Sequence, residues 1–309
     1  MIAVIVDGRS RRRPGLAARA GCGREGRGGH EMKVRDLLRR VDEAAPFRLA
    51  QEWDNVGLMV GGLDAEVGRV AVALDPVPQA VVAASERGCQ ALLCHHPLLF
   101  QPIRKLDLGS GTGRVIEEAI TRGVAILAAH TNWDCAPWGV NVTLARLLGL
   151  EDVEPLDPET GLGAKGVLPR ALSMEEVLAR ARTAWGLDRL DHYAPQGSRE
   201  RAVSRVALCG GSGGSLWPMA LAWEADLYVT ADMRYHELMD ATGAGLDVAV
   251  ADHGDMERAS LPELATRIGA AGDVDVVLLD VRGLAAPTRS CGAPASEGAA
   301  DGPARRDAS

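Results

Sequence analysis

The chain has 309 residues, 47% of them hydrophobic and 25% charged, with a formal charge of -8; this is an ordinary balance for a globular protein with room for one large α/β unit or two smaller ones. No stretch nears the roughly 18 consecutive apolar residues that a membrane span requires, and the acidic balance argues against nucleic acid as the main partner. The six cysteines (22, 89, 94, 135, 209 and 291) form no C-x-x-C pair, which excludes a zinc ribbon and a thioredoxin-like motif and points to reduced thiols in the cytoplasm.

Residues 1–31 hold seven arginines against three acidic residues and almost no periodic apolar content. They read as a disordered extension, or as the product of an upstream start with Met32 the natural first residue; a targeting segment or nucleic-acid arm is the second reading. From Met32 the period turns helical, with Val34, Leu37, Leu38 and Val41 at i, i+3, i+4 and i+7, and Pro46 ends it. The stretch Glu52-Trp53-Asp54-Asn55-Val56-Gly57-Leu58 reads as a loop. Strands are expected over 70–74, 91–94 and 124–129, alternating with helices over 79–87, 112–122 and 140–150.

Residues 151–159, with Pro155 and Pro158, read as the connection between an N-terminal lobe, 32–155, and a C-terminal lobe, 156–282. The second lobe opens with a strand over 165–168 and a helix begun by Ser173 and Glu176 at capping-box spacing. A strand over 203–208 leads into Gly210-Gly211-Ser212-Gly213-Gly214 and a helix through Trp223. This glycine run lacks the Walker lysine and the dinucleotide spacing; it reads as a tight turn, with a phosphate cradle as the second reading. Strands over 226–229, 246–251 and 274–281 complete the pattern, and residues 283–309 read as a disordered tail. Strands and helices alternating in this way predict α/β layers with a largely parallel sheet, or two such sheets.

Five of the seven histidines stand at the C-terminal ends of these strands. They occur as His95-His96, His130…Asp134, Asp232…His236 and His253…Glu257, the last three with a spacing of four that puts both side chains on one face of a helical turn. Ligands bind outside the carboxyl ends of strands in open α/β sheets. Imidazole with carboxylate and no thiolate favours Zn, Fe or Mn. His95, His96, Asp134, His253 and Glu257 are more ligands than one catalytic ion needs, so two divalent ions fit better. Asp75, at another strand end, reads as structural, and His192 as a loop residue satisfied by hydrogen bonds.

Taken together, His95-His96-Pro97-Leu98-Leu99-Phe100, His130-Thr131-Asn132-Trp133-Asp134, Thr230-Ala231-Asp232…Tyr235-His236, His253…Glu257 and the early Trp53-Asp54-Asn55-Val56-Gly57-Leu58 resemble the Nif-three-like family, whose members often carry the name GTP cyclohydrolase I type 2 homologue. The likeness covers about residues 32–281. It implies a three-layer α/β/α fold of two intertwined lobes with mostly parallel and mixed sheets, in the short form without an inserted middle domain. It further implies a dinuclear centre in which His96 and Asp134 hold one ion, His95 and His253 the other, and Glu257 bridges. His130, Asp232 and His236 would line the cavity in second-layer or proton-transfer roles, and the assembly would be a toroidal homohexamer. The chain departs from the family pattern at Ala231, Asp252, Gly254 and Met256, which changes the wall of the implied pocket. Two functions follow as expectations: a metal-dependent hydrolase of a phosphorylated or nucleotide-like small molecule, or a metal-binding or metal-handling scaffold without turnover.

Overall fold

A computed structural model describes residues 32–195 and 201–282; the segments read as disordered, 1–31 and 283–309, lie outside the described residues. The first half runs α1 (Val34–Ala44), β1 (Gly57–Val60), β2 (Arg69–Ala73), α2 (Pro78–Glu86), β3 (Ala91–Cys94), α3 (Gly111–Arg122), β4 (Ala125–Ala128), α4 (Thr131–Asp134) and α5 (Val140–Leu148). The second runs β5 (Glu151–Glu154), β6 (Ala164–Ser173), α6 (Met174–Trp185), β7 (Leu190–Tyr193), β8 (Ala202–Ser212), α7 (Trp217–Ala222), β9 (Leu227–Ala231), α8 (Tyr235–Gly243), β10 (Asp247–Ala251), α9 (His253–Arg258), α10 (Leu261–Gly269) and β11 (Asp275–Leu278).

Local chemistry sets the helix ends. Ser110 accepts a hydrogen bond from Gly113 N at 3.0 Å to start α3, and Gly123, in the left-handed region at φ 66°, stops it. The capping box at Ser173 forms as the spacing predicts, with Ser173 N donating to Glu176 Oε2 at 2.9 Å. The inner strands β3 and β4 are apolar and buried along their whole length, the signature of parallel strands covered on both faces.

Two sheets result, ordered β1-β4-β3-β2-β11 and β5-β6-β8-β9-β10-β7. In the first, β11, β2, β3 and β4 are parallel and β1 is antiparallel. In the second, β8, β9 and β10 are parallel, with antiparallel partners on both sides. Alternate strand residues face opposite layers, as the period of two requires. Val70, Val72 and Leu93 of the first sheet and Val206, Leu208 and Val229 of the second share one core with α1, α5, α6, α9 and α10. Ala71, Leu92 and Ile126 face outward onto α2 and α3, and Ala207, Tyr228 and Val248 onto α7 and α8. Each sheet is thus the middle of an α/β/α sandwich, and the two sandwiches share their inner helices.

Three strands were not expected: β1, in the stretch read as a loop; β5, in the stretch read as a connection; and β7, around His192. All three are edge strands. His192 sits in β7 rather than in a loop, with Nε2 2.9 Å from Asp247 Oδ1. The expected last strand forms, but it crosses back to pair with β2 of the first sheet, Asp275 opposite Arg69. No described helix is long and apolar enough to cross a membrane.

Candidate metal centre

The C-terminal ends of β2, β3 and β4 in one sheet and of β8, β9 and β10 in the other meet over a single space. His95 and His96 leave β3 still held by the ladder, their backbone N–H groups donating to Ala73 O at 3.2 Å and Leu74 O at 3.0 Å. His130 follows β4, and the single turn of α4 brings Asp134 back over it, with Asp134 N donating to His130 O at 3.0 Å. His253 opens α9 directly after β10. One turn later Glu257 falls on the same face, its Oε1 2.9 Å from His253 Nε2.

Four imidazoles are oriented by acceptors behind them. Nδ1–H donates to Ala129 O at 3.0 Å from His95, to Asp75 Oδ1 at 2.7 Å from His96, to Asp54 Oδ1 at 2.8 Å from His130, and to Asp232 Oδ2 at 2.6 Å from His253. Carbonyl and carboxylate oxygens only accept, so the proton must sit on Nδ1, and a neutral ring then presents the Nε2 lone pair. The acceptors are themselves fixed. Asp54 takes a further hydrogen bond from Thr131 N at 3.0 Å. Asp232 takes one from Ser212 Oγ at 2.9 Å and holds a left-handed backbone, φ 47°, which Asp tolerates better than most residues.

Glu257 lies at the middle, only 3% exposed. Its Oε2 is 2.9 Å from His96 Nε2, and its Oε1 is 3.4 Å from His95 Nε2. Asp134 Oδ1 stands 3.7 Å from His95 Nε2. With the rings neutral and their protons on Nδ1, His95 Nε2, Asp134 Oδ1 and Glu257 Oε2 are buried with no hydrogen-bond donor facing them. Burying such atoms unpaired is costly, and lone pairs aimed at one another make it worse. A cation among them removes both penalties, so the donor set fits a divalent ion held by imidazole and carboxylate. Among the described residues two overlapping groups could each hold an ion, with donor atoms within 4.8 Å of one another: His95, His96 and His130, and His96, His253 and Glu257.

The ionisation states tell the same story with protons standing where an ion would. Burial disfavours a charged His96, but hydrogen bonds to Asp75 and Glu257 outweigh it and hold its pKa up at about 10. Burial likewise opposes charge on His253, and Glu257 and Asp232 carry it up to about 9. Glu257 is pushed well below the carboxylate range by His95, His253 and His96 despite its burial. Burial, with Glu257 nearby, lifts Asp134 to about 7 against the pull of His95.

A pH effect follows. His96 and His253 titrate above the ordinary 6.5 in the metal-free fold, so their charge stabilises that fold fully below about pH 6.5, and the contribution is lost as pH rises through 9 to 10. Metal binding needs the neutral rings and must expel these protons. Adding zinc to metal-free protein at pH 7 in weak buffer should release about two protons from this pair, and apparent affinity should rise with pH. Proton release measured by pH-stat that stays near zero would contradict the assignment.

Asp232 reaches the cluster through His253. His236 does not join either group; it is exposed on the first turn of α8, with its ring edge-on to Tyr235 at 5.3 Å. The glycine run is explained by close approach. At Gly210 a Cβ would meet the side chains of Val140 and Leu144, and at Gly211 it would press into Glu257. Of the four positions that depart from the family pattern, Asp252 caps α9 through Asp255 N at 3.2 Å, Ala231 and Met256 are fully buried, and Gly254 leaves room for Leu74 and Arg258. Residue types alone gave Asp75 only a structural reading and assigned no role at the centre to Asp54 or Gly211. Asp75 carried the one available signal, a carboxylate at the end of a strand parallel to that of the histidine pair.

The family model described as Duf34/NIF3 (NGG1p interacting factor 3) matches residues 32–283. A Lactococcus lactis protein named GTP cyclohydrolase 1 type 2 homolog is 36% identical over 215 residues, covering 70% of this chain and 83% of the relative. A Clostridium perfringens protein of the same name is 31% identical over 250 residues, covering 79% and 94%. Among solved structures, a Staphylococcus aureus hypothetical protein superposes with a TM-score of 0.76 at 25% identity, over 85% of this chain and 100% of its own. Reduced HcgD from Methanocaldococcus jannaschii superposes with a TM-score of 0.71 at 29% identity, over 81% and 99%. With the fold, the strand-end cluster and a family match across nearly all the described residues in agreement, the chain belongs to the DUF34/NIF3 family.

Proposed function

We propose that the chain is a metal-dependent hydrolase acting on a phosphorylated or nucleotide-like small molecule, with two divalent ions of Zn, Fe or Mn in the cluster. The observation that carries this reading is the convergence of His95 Nε2, Asp134 Oδ1 and Glu257 Oε2, buried acceptors with no donor while the rings are neutral, beside imidazoles already oriented from behind. His95, His96, Asp134, His253 and Glu257 would hold the ions, and the two oxygens of Glu257, one turned toward His95 and His253 and the other toward His96, support a pair rather than one. When bound, divalent ions there supply Lewis-acid polarisation of a substrate oxygen and activation of water.

The chain's own residues do the rest. Asp75 and Asp232 keep His96 and His253 in the tautomer that faces inward. His130 is partly accessible, its side chain 17% exposed, and Asp54 backs its far nitrogen. That arrangement suits a group that takes a proton from one side while a carboxylate steadies the resulting charge. GTP belongs on the substrate panel because relatives carry the cyclohydrolase name. A ring-shaped homohexamer in the cytoplasm completes the proposal.

The test is metal analysis of the purified protein together with turnover of phosphoesters and nucleotides, before and after chelation. Bound metal, with hydrolysis that chelation abolishes and metal restores, is the expected result. Bound metal with no turnover on any substrate would favour the non-catalytic, metal-handling reading, and protein that takes up no metal would remove both.

A further inference from the structure

Two large aromatic side chains stand in water at the rim of this cluster. Trp53 is 57% exposed and Phe100 46%. They come from separate loops, one ahead of β1 and the other just beyond the histidine pair. Their ring centroids lie 5.6 Å apart with the planes at 52°, so the pair forms an open wedge rather than a closed stack. Both rings also meet His130 edge-on, at 6.3 Å for Trp53 and 6.4 Å for Phe100, and His130 in turn is 5.3 Å from His95.

The wedge is held in place. Trp53 precedes Asp54, whose carboxylate is locked onto His130 and Thr131. Phe100 follows Leu99, whose carbonyl accepts from the Asn55 side chain and so ties the two loops together. Preorganised aromatic rings cost little further order when a ligand arrives, while leaving them in water forgoes their burial. Their position beside an imidazole of the cluster, and not on a remote face, says what should cover them.

We infer that Trp53 and Phe100 form a subsite that grips a planar ring of the substrate, with His130 as its inner wall, so that a group attached to the ring reaches the cluster. The inference rests on reading the cluster as a small-molecule site, and it adds the residues that select a ring-bearing molecule over a ringless one. Stacking of this kind tolerates many rings, since any base has a π-face to offer. The pair therefore sets a class and not a single compound.

The probe is guanosine 5′-monophosphate against ribose 5-phosphate, which share sugar and phosphate and differ by the planar base. Affinities would be measured by calorimetry on the full-length, metal-loaded protein. Wild type should prefer the nucleotide by about tenfold or more. Trp53→Leu and Phe100→Leu should each lose most of that preference while keeping metal content and affinity for ribose 5-phosphate, and Trp53→Phe should retain most of it. No preference in wild type, or a preference that survives both leucine variants, would overturn the subsite. So would a change in oligomeric state in those variants, measured by light scattering, because a second copy of the chain would then be what covers the rings. The two readings fail separately. Ring preference without turnover on any substrate leaves the subsite standing and removes the hydrolase, whereas turnover of ringless phosphoesters without ring preference does the reverse.

Discussion

A Gly211→Ala protein is expected to purify with little bound metal and to unfold more readily than wild type. Gly211 has φ 71°, a conformation that an L side chain adopts only with strain of roughly 1–2 kcal/mol. The added methyl would also press into Glu257 Oε1 and lie 3.3 Å from its Cδ and 3.4 Å from His253 Cε1. Glu257 is buried in the shared core and cannot swing into solvent. Overpacking of this kind adds about 1–3 kcal/mol. Gly88 provides the control: its φ is also 71°, yet nothing lies within 4 Å of a Cβ built there. Gly88→Ala should show the strain alone and leave metal content untouched. Metal analysis and thermal unfolding of the two variants decide the matter, and equal metal retention in both would mean that Gly211 does not shape the centre.

Replacing Glu257 with glutamine should have the largest effect on metal binding. The change keeps the volume but removes the charge that faces three imidazoles, and it puts an amide N–H₂ where both oxygens had been acceptors. Loss of most bound metal is expected, together with loss of any metal-dependent turnover. Asp75→Asn and Asp232→Asn change only the support behind His96 and His253, and such partners typically cost about 10–100-fold in affinity. Competition against a chelator of known affinity should therefore rank Glu257→Gln below both asparagine variants. If the three fall together, or if Glu257→Gln keeps its metal, the central role of Glu257 is wrong. In the metal-free protein the same change should bring His96 and His253 down towards ordinary imidazole values, since Glu257 is among the groups holding both up.

The inner strands and most helices were legible because burial on both faces leaves continuous apolar runs, as in Ala91-Leu92-Leu93-Cys94, and because helix faces repeat, as in Val34, Leu37 and Val41. The edge strands were not. Glu151–Glu154 is polar and mostly exposed, so it carries no burial signal; it is a strand because β6 offers a partner edge. Leu190–Tyr193 is equally ambiguous until β10 pairs with it. The last strand was recognisable from its composition, but periodicity does not name a pairing partner, and its return to the first sheet could not be read from it. At the centre, the side chains with distinctive chemistry stood out in sequence. Asp232 stood out with them, but the other two carboxylates behind the rings did not, because Asp54 and Asp75 gain their meaning only from a neighbour 76 or 21 residues away.

The return of β11 bears on how the chain is made. It lies 206 residues beyond its partner in β2, as the contact between Arg69 and Asp275 shows. During synthesis the first sheet is left with an open edge until almost all the described chain has emerged. For most of that interval His95, His96, His130 and Asp134 are already translated, while His253 and Glu257 are still to come. A nascent chain that has not reached α9 therefore lacks His253 and Glu257, and the donor set is completed only once α9 has been made.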